Sequence, residues 1–410
     1  VYLVGAGPGD PGLITVKGLR VLAQADVVVY DHLVAERLLA QCRPHAKLIY
    51  AGKAQGHHTK SQTAINRLLI RYAKAGKTVV RLKGGDPVLF GRAGEEALAL
   101  AQAGVAYDIV PGVTSAIAAP AYAGIPVTHR HLASSVAIVT GHEDPSKKDC
   151  AIHWEQLATA TDTLVCLMGV STLPALVKQL VQHGRSASTP CAAIEWGTLP
   201  RQRTVEATLR TIVQRCAKAR LQPPAVVVVG EVVRLRRWLS WFERKPLFGR
   251  RIVVTRPTDR ADQLADTLEG LGADVHRLPA IALAPVKLNG AFHQALKQME
   301  HVDWVFFTSP EGIGHVERLL RGARKDLRIL HGCHIGAIGP KTAASIQARG
   351  IHVDVVPRIY RQEGLLEGLK SRILTGKRAV IFSAAGSRDV LEHGLRKRGM
   401  KVQRLAIYRT

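Results

Sequence analysis

Short apolar runs alternate with amphipathic stretches along the first 230 residues of the chain. Runs typical of strands occur at 1–5, 26–30, 46–50, 77–82, 106–110, 134–140, 162–168, 190–195 and 224–230. Stretches with helical periodicity lie between them at 15–24, 61–75, 94–103, 171–182 and 207–216. Because strands that alternate with helices form parallel β-α units, the pattern predicts an α/β fold.

The alternation breaks at residues 234–250, which read RLRRWLSWFERKPLFGR. The basic and aromatic positions, followed by Pro246 and Gly249, predict a docked helix and then a linker at 244–250. A membrane-anchoring amphipathic helix is the alternative, and the return of an α/β pattern directly afterwards disfavours it.

A second α/β pattern begins at Arg251 and predicts a module over 251–410. Its strands are predicted at 251–255, 273–277, 303–308, 333–338, 352–356, 378–382 and 401–407. Val1 already lies in a strand pattern, and the chain stops at Thr410 directly after one. We therefore expect a chain that lacks its start and ends inside a domain.

Length, charge and cysteine content narrow the class of protein. A chain of 410 residues fits two or three domains, and its net charge of +25 favours acidic partners. The sequence contains no run of five or more basic residues, so a nucleic-acid-binding tail is not indicated. The six cysteines form no C-x-x-C pair, which disfavours a zinc site and a disulfide framework and favours the cytoplasm. Neither a membrane-spanning run nor a signal peptide is present in this sequence.

The first predicted strand leads into a glycine-rich loop, Gly5–Gly12. A dinucleotide-binding G-x-G-x-x-G motif would need its third glycine at the position of Asp10. Pro8 and Pro11 also lack the N–H donors that cradle a pyrophosphate. The loop fits a ligand that meets the backbone without a phosphate, such as an adenosyl group, and a tight turn without ligand is an equal alternative.

Two further loops follow predicted strands and favour a ligand. Gly84, Gly85 and Asp86 come after the strand at 77–82, and Asp86 is a candidate acceptor for ribose hydroxyls. The segment 110–116, which contains Thr114 and Ser115, follows another strand. Because ligands of parallel sheets bind beyond the carboxyl ends of strands, three such loops favour ligand binding over turns alone.

The motifs of residues 1–243 resemble the tetrapyrrole methylases, and among them the uroporphyrinogen-III C-methyltransferases. The matching pieces are VGAGPGDPGLIT (4–15), VVYDHLV (28–34), RLKGGDPVLFGRAGEE (81–96), VPGVTSA (110–116), GIPVTHR (124–130) and LVCLMGV (164–170). The resemblance implies two α/β lobes, about 1–115 and 116–243, with S-adenosylmethionine in the cleft and a homodimeric assembly. It also implies two methyl transfers to uroporphyrinogen III, giving precorrin-1 and then precorrin-2, on the branch toward sirohaem and cobalamin.

The resemblance assigns roles to particular residues. The cofactor contacts that it implies are Pro8, Gly84, Gly85, Asp86, Leu89, Thr114, Ser115, Met168 and Gly197. It implies a proton acceptor at Asp31 and a proton donor at Lys53, whereas the residues alone favour a helix N-cap and a solvated surface lysine. It implies no metal. Candidate cations for the eight carboxylates of the substrate are Lys83, Arg92, His57, His58, His129 and Arg130.

The second module resembles the uroporphyrinogen-III synthases, whose two flavodoxin-like lobes close hydroxymethylbilane into uroporphyrinogen III. The matching pieces are RRIVVTRP (250–257), ADQLADTLEGLGADV (261–275), FFTSPEGI (306–313), AIGPKTAASIQARG (337–350), EGLLEGL (363–369) and VQRLAIYRT (402–410). The resemblance implies that Tyr408 helps the leaving hydroxyl and that Thr308, Ser309 and Thr342 face the cleft. Because the returning lobe is absent from the pattern, we expect little ring closure from residues 250–410 alone.

Two other classes of function remain open on the sequence. One is a methylase of the same fold that acts on a later corrin precursor or on ribosomal RNA. The other is a non-enzymatic basic protein that binds nucleic acid, which the absence of aromatic residues interleaved on strands disfavours.

Overall fold

The computed structural model describes residues 1–52, 61–141, 152–286 and 290–410, without the side chains of 258–262 and 291. The chain forms two compact units. The first comprises Val1–Val253 and Leu264–His276, and the second comprises Val254–Gln263 and Arg277–Thr410.

A parallel sheet of five strands forms the first lobe of the first unit, in the order β3-β2-β4-β1-β5. Its strands are β1 (Tyr2–Gly5), β2 (Val27–Tyr30), β3 (Lys47–Tyr50), β4 (Val79–Lys83) and β5 (Asp108–Val110). Its helices are α1 (Val16–Leu22), α2 (Glu36–Leu39), α3 (Gln62–Lys74) and α4 (Ala93–Gln102). Leu3 and Val29 pack into the core on one face and Val4 and Val28 into the core on the other, as expected for a sheet covered on both faces.

The second lobe contains a mixed sheet in the order β6-β7-β10-β8-β9. Its strands are β6 (Val136–Thr140), β7 (Thr163–Leu167), β8 (Pro190–Glu195), β9 (Arg203–Thr208) and β10 (Ala225–Val229). Its helices are α5 (Ser115–Tyr122), α6 (Trp154–Ala160), α7 (Leu173–Gln182), α8 (Ile212–Lys218) and α9 (Arg236–Leu239). Only β6 and β7 are parallel, because β10 runs antiparallel to β7 and β8, and β9 runs antiparallel to β8.

The prediction of parallel units was therefore wrong for the second lobe. The sequence pattern missed β9, and the helix predicted at 207–216 begins only at Ile212. Residues 196–202, which connect β8 to β9, are too few for the crossover that a parallel pair needs. The strand is hard to recognise because it is an edge strand whose residues are all exposed or half-buried, without strict alternation.

The helix predicted after residue 234 is α9, preceded by a 3-10 turn at Glu231–Leu235. The buried Arg236 guanidinium donates to Glu206, to Glu243 and to the carbonyl of Ala123. These contacts hold the segment against the second lobe. The Leu247 N–H donates to the Leu271 carbonyl, and the domain boundary at 244–250 stays a prediction.

The remaining elements comprise a two-stranded sheet and the five-stranded sheet of the second unit. The former consists of β11 (Arg251–Val254) and β12 (Asp274–Arg277), with α10 (Thr258–Gly270) between them in sequence. The latter contains β13 (Ala284–Pro285), β14 (Trp304–Phe307), β15 (His334–Ala337), β16 (Arg378–Ala384) and β17 (Lys401–Arg409). Its helices are α11 (Gly290–Lys297), α12 (Pro310–Gly322), α13 (Pro340–Gln347), α14 (Gln362–Gly368) and α15 (Val390–Lys397).

The second unit confirms the expected flavodoxin-like architecture. Four parallel strands lie in the order β15-β14-β16-β17, which is the 2-1-3-4 order of that fold, and β13 adds an antiparallel edge. The strand predicted at 352–356 was wrong, because only Val355 forms a single bridge, to Gly336. The sequence pattern missed the two-residue strand β13.

Candidate functional site

Three loops of the first lobe meet because β4, β1 and β5 are neighbours in the sheet. Gly7 and Gly85 exchange main-chain hydrogen bonds, with N···O distances of 2.7 and 3.2 Å. A Cβ on Gly112 would lie 2.4 Å from the Gly85 carbonyl oxygen, and a Cβ on Gly5 would lie 2.5 Å from the Gly112 Cα. The glycines are needed here because the backbones of the loops touch one another.

A cavity of about 560 Å³ lies in the first unit where these loops face the second lobe. All nine residues predicted to contact the cofactor line it: Pro8, Gly84, Gly85, Asp86, Leu89, Thr114, Ser115, Met168 and Gly197. Several other lining residues were not predicted from the sequence, among them His32, Phe90, Trp196 and Leu199. The structure thus collects residues from both lobes around one space of the size of a small-molecule site.

Left-handed backbone conformations are frequent around the cavity. Gly7, Gly9 and Gly85 have positive φ angles, as the glycine motifs suggest. Phe90, Met168 and Trp196 also have positive φ angles, of 54°, 57° and 49°. Non-glycine residues seldom adopt this conformation, and such strain concentrates at functional sites. No sequence motif signals it.

Asp86 holds two of the loops in place. Its Oδ1 accepts the N–H groups of Val88 and Leu89 at 2.8 and 2.9 Å, and its Oδ2 accepts the N–H of Gly112 at 2.9 Å. The carboxylate therefore ties its own loop to the loop after β5. Its predicted contact with ribose hydroxyls stays a prediction.

Asp31 lies directly behind the cavity wall. His32 and Leu33 line the cavity, whereas Asp31 accepts the N–H of Leu33 at 3.1 Å and the N–H of Gly84 at 3.3 Å. Its side chain is 26% exposed, and its Oδ2 lies 3.9 Å from a guanidinium nitrogen of Arg81. The other predicted proton-transfer residue, Lys53, and the substrate candidates His57 and His58 lie outside the described residues.

A buried cluster of charges lies behind Asp31. Glu96 Oε1 accepts from Arg81 at 3.1 Å, from Lys83 at 3.0 Å and from Gln62 at 3.1 Å. Burial, more than the neighbouring Arg81, lowers the pKa of Lys83. Because Lys83 is buried and bonded to Glu96, it is unsuited to bind a substrate carboxylate, and its selection as a substrate-binding cation was wrong.

The other candidate cations occupy different surroundings. Arg92 makes two hydrogen bonds of 2.7 Å to Glu95, and Arg130 is exposed. His129 accepts from the main chain of His131. Arg201, which was not among the predicted cations, places its guanidinium 3.7 Å from the ring centroid of Trp196, a residue of the cavity wall.

The lining of the cavity fits the adenosyl group and sulfonium of S-adenosylmethionine. The described lining residues include no lysine and no arginine and one carboxylate, Asp86. A sulfonium cation tolerates such a wall, whereas a pyrophosphate would need cations or a cluster of free N–H groups. Backbone groups of the glycine loops and the hydroxyls of Thr114 and Ser115 are available for the nucleoside and amino-acid parts.

The residues predicted for the second module come together in part. Thr308 and Ser309 follow β14, and the buried Thr342 lies in the first turn of α13. Tyr408, in β17, donates from its hydroxyl to Ser309 Oγ at 2.8 Å. Its ring stacks on His315 of α12 at a centroid distance of 4.9 Å, a partner that no sequence motif indicates.

Among the described residues, no helix is long and apolar enough to cross a bilayer. The described part of the chain also contains no group of three or more side chains arranged to hold a metal ion.

The geometry defines an α/β protein with a small-molecule cavity at the carboxyl ends of the strands of one lobe, closed by a second lobe. Residues 1–213 match the family model of the tetrapyrrole (corrin/porphyrin) methylases, and residues 262–410 match that of uroporphyrinogen-III synthase HemD. The chain belongs to the tetrapyrrole methylases and carries a HemD module behind the methylase.

Named relatives agree with this assignment. A porphyrin biosynthesis protein HemD from Ruminiclostridium josui is 38% identical over 100% of this chain and 81% of its own length. A uroporphyrinogen-III C-methyltransferase from Bacillus subtilis (strain 168) is 43% identical over 87% of this chain and 73% of its own. The crystal structure of uroporphyrin III C-methyl transferase from Thermus thermophilus is 43% identical, with a TM-score of 0.50, over 57% of this chain and 98% of its own.

The family assignment settles two of the predictions. The chain is an enzyme, a methyltransferase joined to a synthase module, so the alternative of a non-enzymatic nucleic-acid-binding protein is discarded. The predicted methyl donor is confirmed for the family, because tetrapyrrole methylases use S-adenosylmethionine.

Proposed function

We propose that the first unit methylates uroporphyrinogen III twice, giving precorrin-1 and then precorrin-2 for sirohaem and cobalamin synthesis. The observation that carries the proposal is the cavity, which brings together all nine residues that the methylase motifs assign to the cofactor. The identity of 43% to a uroporphyrinogen-III C-methyltransferase over 87% of the chain supports this substrate over a later corrin precursor or ribosomal RNA.

The cofactor supplies an electrophilic methyl group, and the chain supplies position and proton transfer. Asp86 keeps the loops after β4 and β5 in a fixed relation, which fixes the wall against which a nucleoside lies. Thr114 and Ser115 offer hydroxyls to the ligand from the N-terminus of α5. Holding two reactants in line accounts for a large part of the rate in such a displacement.

Each methyl transfer to a ring carbon must be balanced by loss of a proton. We assign Asp31 as the acceptor, because it directly precedes the cavity-lining residues His32 and Leu33 and its carboxylate is 26% exposed. The hydrogen bonds from Leu33 and Gly84 orient it. Lys53 is proposed as the matching proton donor from the sequence motif alone.

Incubation of the protein with S-adenosylmethionine and uroporphyrinogen III tests the proposal. We expect products heavier by one and then two methylene units, separated and weighed by mass spectrometry. Asp31→Asn should slow both additions, while Asp108→Asn, an exposed carboxylate of the same lobe, should not. Methyl transfer only to ribosomal RNA or to a later corrinoid would refute the proposed substrate.

The second module is proposed to provide the substrate of the first. In complete form it would close hydroxymethylbilane to uroporphyrinogen III, with Tyr408 assisting loss of the hydroxyl. The hydrogen bond from Tyr408 to Ser309 supports this role, because it fixes the phenol at the carboxyl ends of the strands. Tyr408→Phe should then reduce any ring closure by the full protein, measured as uroporphyrinogen III formed from hydroxymethylbilane.

We further propose a homodimer in the cytoplasm with a domain boundary at 244–250. Limited proteolysis of the full chain should cut first near 243–250 and then near 280–290. Glu243 must remain with the methylase, because it accepts from Gln202, Thr204 and Arg236. Sedimentation analysis tests the dimer, and a first cut inside the methylase lobes would contradict the boundary.

A further inference from the structure

Asp10 joins the two lobes although it does not line the cavity in the described chain. It lies in the first glycine loop, and its Oδ1 accepts the N–H of Gly12 at 2.8 Å. Its own N–H donates to Thr198 Oγ1 in the second lobe at 3.0 Å. Its Oδ2 accepts the hydroxyl of Tyr122 at 2.8 Å. One residue of the first loop thus has two partners outside the first lobe.

The conformation of Thr198 indicates that this contact is specific. Thr198 is 2% exposed and has a φ of +73°, which is rare for a β-branched residue. Its N–H donates to Gln202 Oε1 at 2.9 Å, and the Gln202 amide donates to Glu243. A strained residue persists where its surroundings fix it firmly, and here the strain presents Oγ1 to Asp10.

Tyr122 provides the second contact from a rigid base. It is the last residue of α5, and its ring packs against Trp241 at 5.0 Å and Phe242 at 4.8 Å between centroids. Burial, and then the hydrogen bond to Asp10, raise the pKa of its hydroxyl above the usual range. The hydroxyl therefore stays protonated and able to donate at any physiological pH.

The loop next to Asp10 has little room to move. A Cβ on Gly9 would lie 3.0 Å from Leu199 Cγ and 3.0 Å from Thr198 Oγ1. Pro8 and Gly9 both line the cavity, and Gly9 directly precedes Asp10 in the chain. A displacement of Asp10 would therefore move the cavity wall that faces the ligand.

We propose that Asp10, Tyr122 and Thr198 form an interlobe latch that holds the first glycine loop against the second lobe and sets the width of the cavity. The three are positioning residues, because none of them lines the cavity in the described chain. The inference rests on the proposed function for the identity of the ligand, and on the hydrogen bonds for the latch itself.

Calorimetric binding of S-adenosylhomocysteine, which requires no turnover, tests the latch. Tyr122→Phe should raise the Kd about tenfold, the loss expected for one hydrogen bond to a charged group. Asp10→Ala, which also removes the acceptor of the Gly12 N–H, should raise it at least as much. The double variant should bind about as weakly as Asp10→Ala alone, because Asp10→Ala already removes the hydrogen bond of Tyr122. Asp10→Asn keeps an oxygen that accepts the Gly12 N–H, and its amide N–H can donate to the Tyr122 hydroxyl oxygen, so it should rescue most of the affinity.

Two readouts separate positioning from general destabilisation. In turnover, Tyr122→Phe should raise the KM for S-adenosylmethionine and change kcat much less. Hydrogen exchange without ligand should become faster in residues 7–13 and stay unchanged in β7 and β10. The matched control is Tyr107→Phe, an exposed tyrosine of the first lobe, which should leave Kd and exchange as in the wild type.

The outcomes distinguish the latch from the proposed function. If folded Tyr122→Phe and Asp10→Ala bind the ligand like the wild type, the latch is refuted and the proposed function stands. If the wild type itself does not bind S-adenosylhomocysteine, the proposed function fails, and the exchange rates of residues 7–13 alone decide the latch. Equal rates in the wild type and both variants would then refute it.

Discussion

The two lobes of the first unit fix their cavity-facing loops by different means. The first lobe mainly uses glycines with positive φ, such as Gly7 and Gly85, together with carboxylates that accept main-chain N–H groups, and Phe90, with a φ of 54°, is its exception. The second lobe uses non-glycine residues with positive φ, Met168, Trp196 and Thr198, at 57°, 49° and 73°. Both devices produce tight turns that face a ligand.

This difference determines how well each lobe's wall of the cavity can be predicted from the sequence. Glycine and aspartate at strand ends form motifs, because only glycine tolerates the close backbone contacts and only a short acceptor reaches the N–H groups. A left-handed L-residue costs about 1–2 kcal/mol and is held only by its neighbours. The second wall is therefore stabilised by tertiary contacts, and removing either kind of support should have separable effects.

The largest expected effect comes from the buried charges of the first lobe. Glu96→Gln leaves Arg81 and Lys83 buried without their carboxylate and should destabilise the first unit by about 3–5 kcal/mol, measured by chemical denaturation. The matched control is Glu206→Gln in the second lobe. Its side chain is 48% exposed and its partner Arg236 keeps Glu243, so we expect less than about 1 kcal/mol. Equal losses of unfolding free energy in the two variants would show that the burial of the ion pairs does not set the size of the effect.

The next effect concerns Asp86, whose carboxylate ties the loop after β4 to the loop after β5. Asp86→Ala removes acceptors for three main-chain N–H groups and should weaken S-adenosylhomocysteine binding by about 1–3 kcal/mol. Calorimetry measures the loss, and the exposed Asp108→Ala in the same lobe serves as control. An unchanged affinity would take Asp86 out of the site.

Two opposite substitutions compare a glycine with positive φ in the first lobe and a non-glycine residue with positive φ in the second. Gly85 has a φ of +69°, and a Cβ on it would lie no closer than 4.0 Å to any neighbouring atom, so Gly85→Ala tests backbone strain alone. We expect a loss of about 1 kcal/mol in stability without ligand. Met168→Gly, at a φ of +57°, should gain about 1 kcal/mol while losing affinity for the cofactor. Thermal melting shows whether the two shifts have opposite signs.

The smallest effect is an acid-dependent one in the second lobe. Asp162 precedes β7 and accepts from the Ser135 hydroxyl and the N–H groups of Ser134 and Ser135, which lower its pKa. Since the folded pKa lies below the unfolded value, its contribution is present at neutral pH and is lost as the pH falls through that folded pKa. Asp162→Asn should flatten the fall of the melting temperature in acid, and a variant as acid-sensitive as the wild type would contradict this role.

The sequence by itself determined the α/β pattern, the two modules and the first wall of the cavity. Apolar runs such as Val27–Tyr30 and loops such as 84–86 follow local rules of periodicity and backbone freedom, which are readable residue by residue. Tertiary structure decided the strand directions of the second lobe, where a short connection forces β9 to run antiparallel to β8.

Tertiary structure also decided what the charged residues do. Lys83 looked like a substrate contact beside a glycine loop, but β4 is buried on both faces and turns its side chain to Glu96. Asp10 occupies the position at which a dinucleotide-binding motif would have its third glycine. Its proposed positioning role depends on hydrogen bonds with Tyr122 and Thr198, which are 112 and 188 residues away in the chain. Such hydrogen-bond partners are brought together by packing between distant segments of the chain, and a local residue pattern does not encode that packing.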